Sequence, residues 1–232
     1  MSTLTFKHHG HGLQPTRGIV PTTNKDGRPY QNDDVRRWIR INRIVFKAEK
    51  IDLLISESTF PDLPAHIEYA NTLDTRISMR TRCEFSPPDL QPLKDLGLLD
   101  LILTPRKLAE QTLDSWLAAA READIRVRLQ LPIPYHKSIN AQEYAEKFAE
   151  RGVTVLNLTA WDPLDPPCAT DSKQQTETTL VKIAEFVQAL EARNIEANIM
   201  HIPFCALDET LWKNNINQPQ FSRDHQHYIR QA

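Results

Sequence analysis

Apolar positions along this chain follow two alternating rhythms, one of short continuous runs and one of helical stripes. Asn32-Asp33 caps a first helix whose apolar positions are Val35, Trp38, Ile39, Ile41, Val45 and Phe46. The run Ile51–Ile55 reads as a buried strand, and a helix over 62–72 and a strand at Arg76–Arg80 follow. Pro87-Pro88-Asp89 opens a helix that closes near Gly97, ahead of a strand at Leu98–Leu103. A helix over 106–123 carries Leu108, Thr112, Leu113, Trp116, Leu117 and Ala120 on one face. Then come a strand at Ile125–Leu131, a helix over 140–151 ending at Gly152, and a strand at Val153–Leu158. A helix at Gln174–Arg193, with Leu180, Ile183, Ala184, Val187 and Leu190 inward, leads to a last strand, Ile195–His201.

About six βα units on this beat predict right-handed crossovers and a parallel sheet with helices outside, an α/β fold. The chain has 232 residues. A complete eightfold barrel takes about 250, so the expected architecture is a parallel, TIM-barrel-like βα partial barrel. Residues 1–32 carry three prolines and four glycines and read as irregular, apart from a short strand at Thr3–Phe6. Residues 33–205 form the partial barrel, and 206–232 are a polar tail with room for one helical turn.

Composition narrows the function. Lys and Arg number 28 against 30 Asp and Glu, a net charge of −2. That balance argues against coating nucleic acid or docking on an anionic membrane. No apolar run reaches the roughly 18 residues of a membrane span, and the start MSTLTFKHHGHG has no apolar core of a secretory signal. Cys83, Cys168 and Cys205 are too few and too scattered for a disulfide framework. A cytoplasmic protein is expected, with a small-molecule ligand or a protein partner.

Parallel strands present their chemistry at their carboxyl ends. The residues there are polar and of both charges: Ser56, Glu57, Ser58 and Thr59, then Arg80 and Arg82, then His136 and Lys137, then His201. Glu57 with Arg80 or Arg82 can clamp an amino-acid-like group at both ends, with His201 and Lys137 close by. The plainer alternative is that Glu57 and an arginine pair across neighbouring strands. His8, His9 and His11 form a close imidazole cluster able to bind a divalent metal, in a glycine-flanked stretch that reads equally as a solvated segment.

Ile55-Ser-Glu-Ser-Thr-Phe-Pro-Asp-Leu-Pro64 resembles the second-strand segment of radical S-adenosylmethionine (radical SAM) enzymes, which reads Gly-Gly-Glu-Pro-Thr and soon Pro-Asp-Leu. The resemblance spans roughly 33–205. It runs through the helix of Asp33 to Ile39, the strand Arg76–Arg80, Pro87 to Leu93, Leu96 to Leu103, Ala123 to Gln130, Arg151-Gly-Val, and His201-Ile-Pro-Phe-Cys205. It implies S-adenosylmethionine as cofactor, with Glu57 as the one position that matches the family's segment; together with the strand-end reading this gives Ser56, Glu57, Thr59, Arg80, Arg82, Lys137 and His201 as the expected binding set. It also implies a [4Fe–4S] cluster held by a Cys-x-x-x-Cys-x-x-Cys loop after the first strand. The stretch matched to that loop, Phe6 to Leu13, has no cysteine, and Ile55-Ser56 stand where the family has glycines. The expectation is a radical SAM-like protein without the usual cluster ligands, either non-catalytic or divergent, that binds S-adenosylmethionine or another ligand or acts as a scaffold. The alternative is an active enzyme, of one of two kinds. One is a radical SAM enzyme whose cluster segment lies outside this sequence. The other is a metal-dependent barrel enzyme drawing on Glu57, His136, His201 and the N-terminal histidines.

Overall fold

The computed structural model describes residues 16–24, 26–105, 111–133, 139–159, 173–200, 202 and 206–214. Seven parallel strands alternate with six α-helices among them, as an α/β fold of βα units requires. The chain divides into two compact units, residues 1–128 and 129–232, with the boundary inside the fifth strand.

The first unit holds β1 (Thr16–Pro21), α1 (Asn32–Ile44), β2 (Ala48–Leu54), a 3-10 helix (Glu57–Asp62), α2 (Leu63–Thr72), β3 (Arg76–Thr81), α3 (Gln91–Asp95), β4 (Leu101–Leu103) and α4 (Gln111–Glu122). Strands β1 to β4 lie side by side in chain order. β1 corrects the sequence reading, because residues expected to be irregular supply the strand that pairs with β2. The short strand expected at Thr3–Phe6 lies outside the described residues. The helix expected from Pro87 starts only at Gln91. The residue before a proline is pushed away from helical backbone, and Asp89 instead caps the Gln91 N–H at 3.0 Å. On α1, Val35 and Ile39 are buried as expected, whereas Val45 at the helix end is exposed.

The second unit holds β5 (Val127–Pro132), α5 (Ala141–Glu150), β6 (Val155–Thr159), α6 (Lys173–Glu191), β7 (Glu196–Met200) and a closing 3-10 helix (Glu209–Asn214). Strands β5 to β7 are again parallel and in chain order. Asn140 caps α5 by accepting from Gln142 and Glu143 N–H. Phe148 and Phe186 from α5 and α6 are buried, each edge-on to Tyr144. Ile183, Val187 and Leu190 face inward as the stripe predicted. Asn214 ties the last turn to β7 by donating to the Ala197 carbonyl at 3.0 Å.

Both faces of the strands are buried, and their chemistry differs. One set of alternate positions is apolar: Ile51 and Leu53, Ile77 and Met79, Leu101 and Leu103 in the first unit, and Leu129, Leu156, Leu158 and Ile199 in the second. The other set includes Asp52, Ser78, Arg80, Gln130 and Asn157, all buried. Charge and amide groups withdrawn from water inside a sheet mark where function is to be sought.

Candidate functional site

Two groups of side chains converge in the first unit. At the carboxyl ends of β1 and β2, the chain turns into the 3-10 helix through a local cap. Ser56 N–H donates to Thr59 Oγ1 at 3.0 Å, and Thr59 donates back to the Ser56 carbonyl. The hydroxyl of Thr22, just past β1, donates to the Leu54 carbonyl and stands 2.8 Å from Thr59 Oγ1. Thr22 and Thr59 are buried and Ser56 is half-buried, so these hydroxyls bind two strand ends together. Glu57, at the first position of the 3-10 helix, is exposed.

The second group lies on the polar strand face. Arg80 donates to Asp52 Oδ2 at 3.2 Å, and its other terminal nitrogen is 3.5 Å from Thr104 Oγ1. Asp52 and Arg80 are only 1% and 3% exposed, and Thr104 is equally buried. The pairing follows from register. Asp52 lies opposite Ser78, so Arg80 two residues on is its diagonal neighbour on the same face. A third group, ionic like the second, sits near the amino end of β4, where buried Asp100 accepts from Arg128 at 2.6 Å and from Arg126 at 3.3 Å. That end of a parallel sheet serves stability, whereas Arg80 and Thr104 stand at the functional end.

Among residues proposed from sequence, Ser56 and Thr59 come together, and Arg80 pairs with Asp52 rather than with Glu57. Arg82 is half-buried just past β3. Lys137, His136, His201, His8, His9 and His11 lie outside the described residues. The residues missed were Asp52 and Thr22. A lone acid inside the apolar run Ile51–Ile55 was the available signal for the first. Past β3 the backbone is strained, because buried Cys83 adopts φ +60° and donates its N–H to Thr81 Oγ1.

The stretch matched in sequence to the cluster loop, Phe6 to Leu13, lies outside the described residues. After β1 the chain runs through Thr22 to Gln31, where Asn24 Oδ1 accepts from the Asp26 and Arg28 N–H groups, Asn24 N–H reaches the Arg28 carbonyl, and Tyr30 N–H returns to the Thr22 carbonyl. This loop, the one after the first described strand, closes on itself and contains no cysteine, and Phe6 to Leu13 contains none either, so neither stretch supplies the thiolates of a [4Fe–4S] cluster. Among the described residues no group of three His, Cys, Asp or Glu side chains is placed to hold a metal ion, and no helix is long and apolar enough to cross a membrane.

No protein-family model matches the sequence, and no curated protein does. Solved structures do match. SuiB from Streptococcus suis bound to the precursor peptide SuiA superposes with a TM-score of 0.52 at 10% identity, covering 81% of this chain and 49% of that one. SuiB alone gives 0.50 at 9% identity. Tryptophan synthase from M. tuberculosis, in an open form with BRD0059 bound, gives 0.50 at 14% identity and covers 86% of this chain and 79% of that one. The chain spans about half the length of SuiB. At these identities the likeness is one of fold, and this fold serves many chemistries.

Proposed function

We propose that this chain is a radical SAM-like protein that binds a small amino-acid-like ligand at the carboxyl ends of β2, β3 and β4 without an iron–sulfur cluster. S-adenosylmethionine is the first ligand to test. The observation that carries this reading is the buried Asp52–Arg80–Thr104 group. Withdrawing a carboxylate and a guanidinium from water costs several kcal/mol per ion before pairing, and two apolar side chains of similar volume would serve packing as well. Such a pair under a strand-end rim is suited to holding Arg80 in place while Arg82 and Glu57 meet a ligand's carboxylate and amine. The metal-dependent alternative draws on His136 and His201 as well as Glu57, and the geometry of Glu57 alone lends it no support.

Calorimetric titration and thermal melting with S-adenosylmethionine and with methionine test the reading. Saturable binding and a rise in Tm are expected, and Glu57→Gln and Arg82→Gln should weaken binding about tenfold or more while leaving the apo melting temperature nearly unchanged. No response to either probe, or equal affinity in both variants, overturns the ligand site and leaves a scaffold role. Anaerobic reconstitution that yields a stoichiometric, reducible cluster overturns the cluster-free part.

A further inference from the structure

In the second unit, strands β5, β6 and β7 set three carboxamides abreast. Gln130 lies opposite Asn157, and Asn157 opposite Asn198. In parallel strands, residues in one rank point to the same face at steps of about 4.8 Å, so the three amides span about 10 Å. The next rank toward the carboxyl ends, Pro132, Thr159 and Met200, is uncharged as well. Gln130 is buried, Asn157 is 9% exposed, and Asn198 is half-buried, so the rank runs from the interior to an accessible end. Neither the Asn157 nor the Asn198 side chain makes a hydrogen bond among the described residues. The amide atoms of Asn157 are not among the buried polar atoms left without a partner, so this carboxamide keeps enough exposure for water or a ligand to reach it.

We propose that this rank is a binding floor for an uncharged cyclic lactam or imide, of the pyrimidine-2,4-dione or 6-oxopurine kind. A carboxamide presents a carbonyl acceptor beside an N–H donor. The complementary edge is a ring –CO–NH– unit, which accepts one bond and donates the other, as carboxamides do with base edges elsewhere. A charged ligand finds no counter-ion in either rank and loses its hydration there. The floor lies wholly within the second unit and stands independently of the charged group on β2 to β4.

The test is thermal melting and calorimetry of the full chain with uracil and with hypoxanthine, and with 1,3-dimethyluracil, which keeps the ring but lacks the N–H. A concentration-dependent rise in Tm with at least one lactam and none with dimethyluracil is expected. Asn157→Leu, nearly equal in volume, should abolish the response while the apo protein melts at the same or a higher temperature. Asn198→Ala, at the accessible end, should weaken binding about tenfold with a native apo melt. The proposal is overturned if neither lactam binds at millimolar concentration or if dimethyluracil stabilises equally. It is also overturned if Asn157→Leu lowers the apo Tm by several degrees, which would make the amide a structural group.

Discussion

Asp52 interrupts an otherwise apolar strand, and its carboxylate fixes the position of Arg80 on the neighbouring one. Removing one member of a buried pair leaves an uncompensated ion. Asp52→Leu alone should therefore cost about 3–5 kcal/mol, and Asp52→Leu with Arg80→Met should recover most of that loss. Urea denaturation of the three proteins checks this, and a double variant no more stable than the single one contradicts it. His66, 1% exposed on α2, titrates below its ordinary 6.5. Burial strips solvation from the imidazolium, Asp62 opposes that, and Arg36 adds to it. Its Nδ1 makes no hydrogen bond. The unfolded chain thus takes up the proton first. His66 contributes full stability above about pH 6.5, and that contribution falls as pH drops toward the lowered folded value. The urea midpoint should fall through this window, and His66→Leu should flatten the fall. An unchanged pH slope in the variant would remove His66 as the cause.

Five successive helices end alike. Two or three residues past the helix, the chain adopts left-handed backbone at Asp74, Gly97, Asp124, Gly152 and Asn194. The next N–H then reaches five residues back: Thr75 to Ala70 at 3.2 Å, Leu98 to Leu93 at 2.9 Å, Ile125 to Ala120 at 2.8 Å, Val153 to Phe148 at 3.0 Å and Ile195 to Leu190 at 2.9 Å. Gly97 and Gly152 were legible in the sequence because only glycine reaches this backbone without strain. The other three were not, since Asp and Asn serve helix starts and turns equally well. Asn194→Ala should destabilise by about 1 kcal/mol, while Asn194→Gly should leave stability equal or higher. Equal losses in both would point to a side-chain contact instead. The βα beat was legible through the apolar runs and stripes. β1 was not, because Thr16–Pro21 holds a glycine and a proline and offers only Ile19-Val20 as an apolar signal.

Across the molecule, acidic and basic residues nearly cancel. Phosphate binding depends on clustered cations and counterion release, so no saturable binding of duplex DNA or RNA is expected at about 0.15 M salt. Fluorescence anisotropy with labelled duplexes decides this. The candidate site was legible in part. Reading strand ends found Ser56, Thr59, Arg80 and Arg82, but it passed over Asp52, Asn157 and Asn198, which lie within strands where a periodic reading expects packing alone. Within each unit, strands that are neighbours in the chain are neighbours in the sheet. Each pairing therefore closes a short stretch of chain, from 22 residues between Met79 and Leu101 to 41 between Leu156 and Ala197. The entropic difference between closing these two stretches is only about 0.6 kcal/mol. A nascent chain can thus lay each strand against the one made just before it, with no pairing held in wait for residues far downstream.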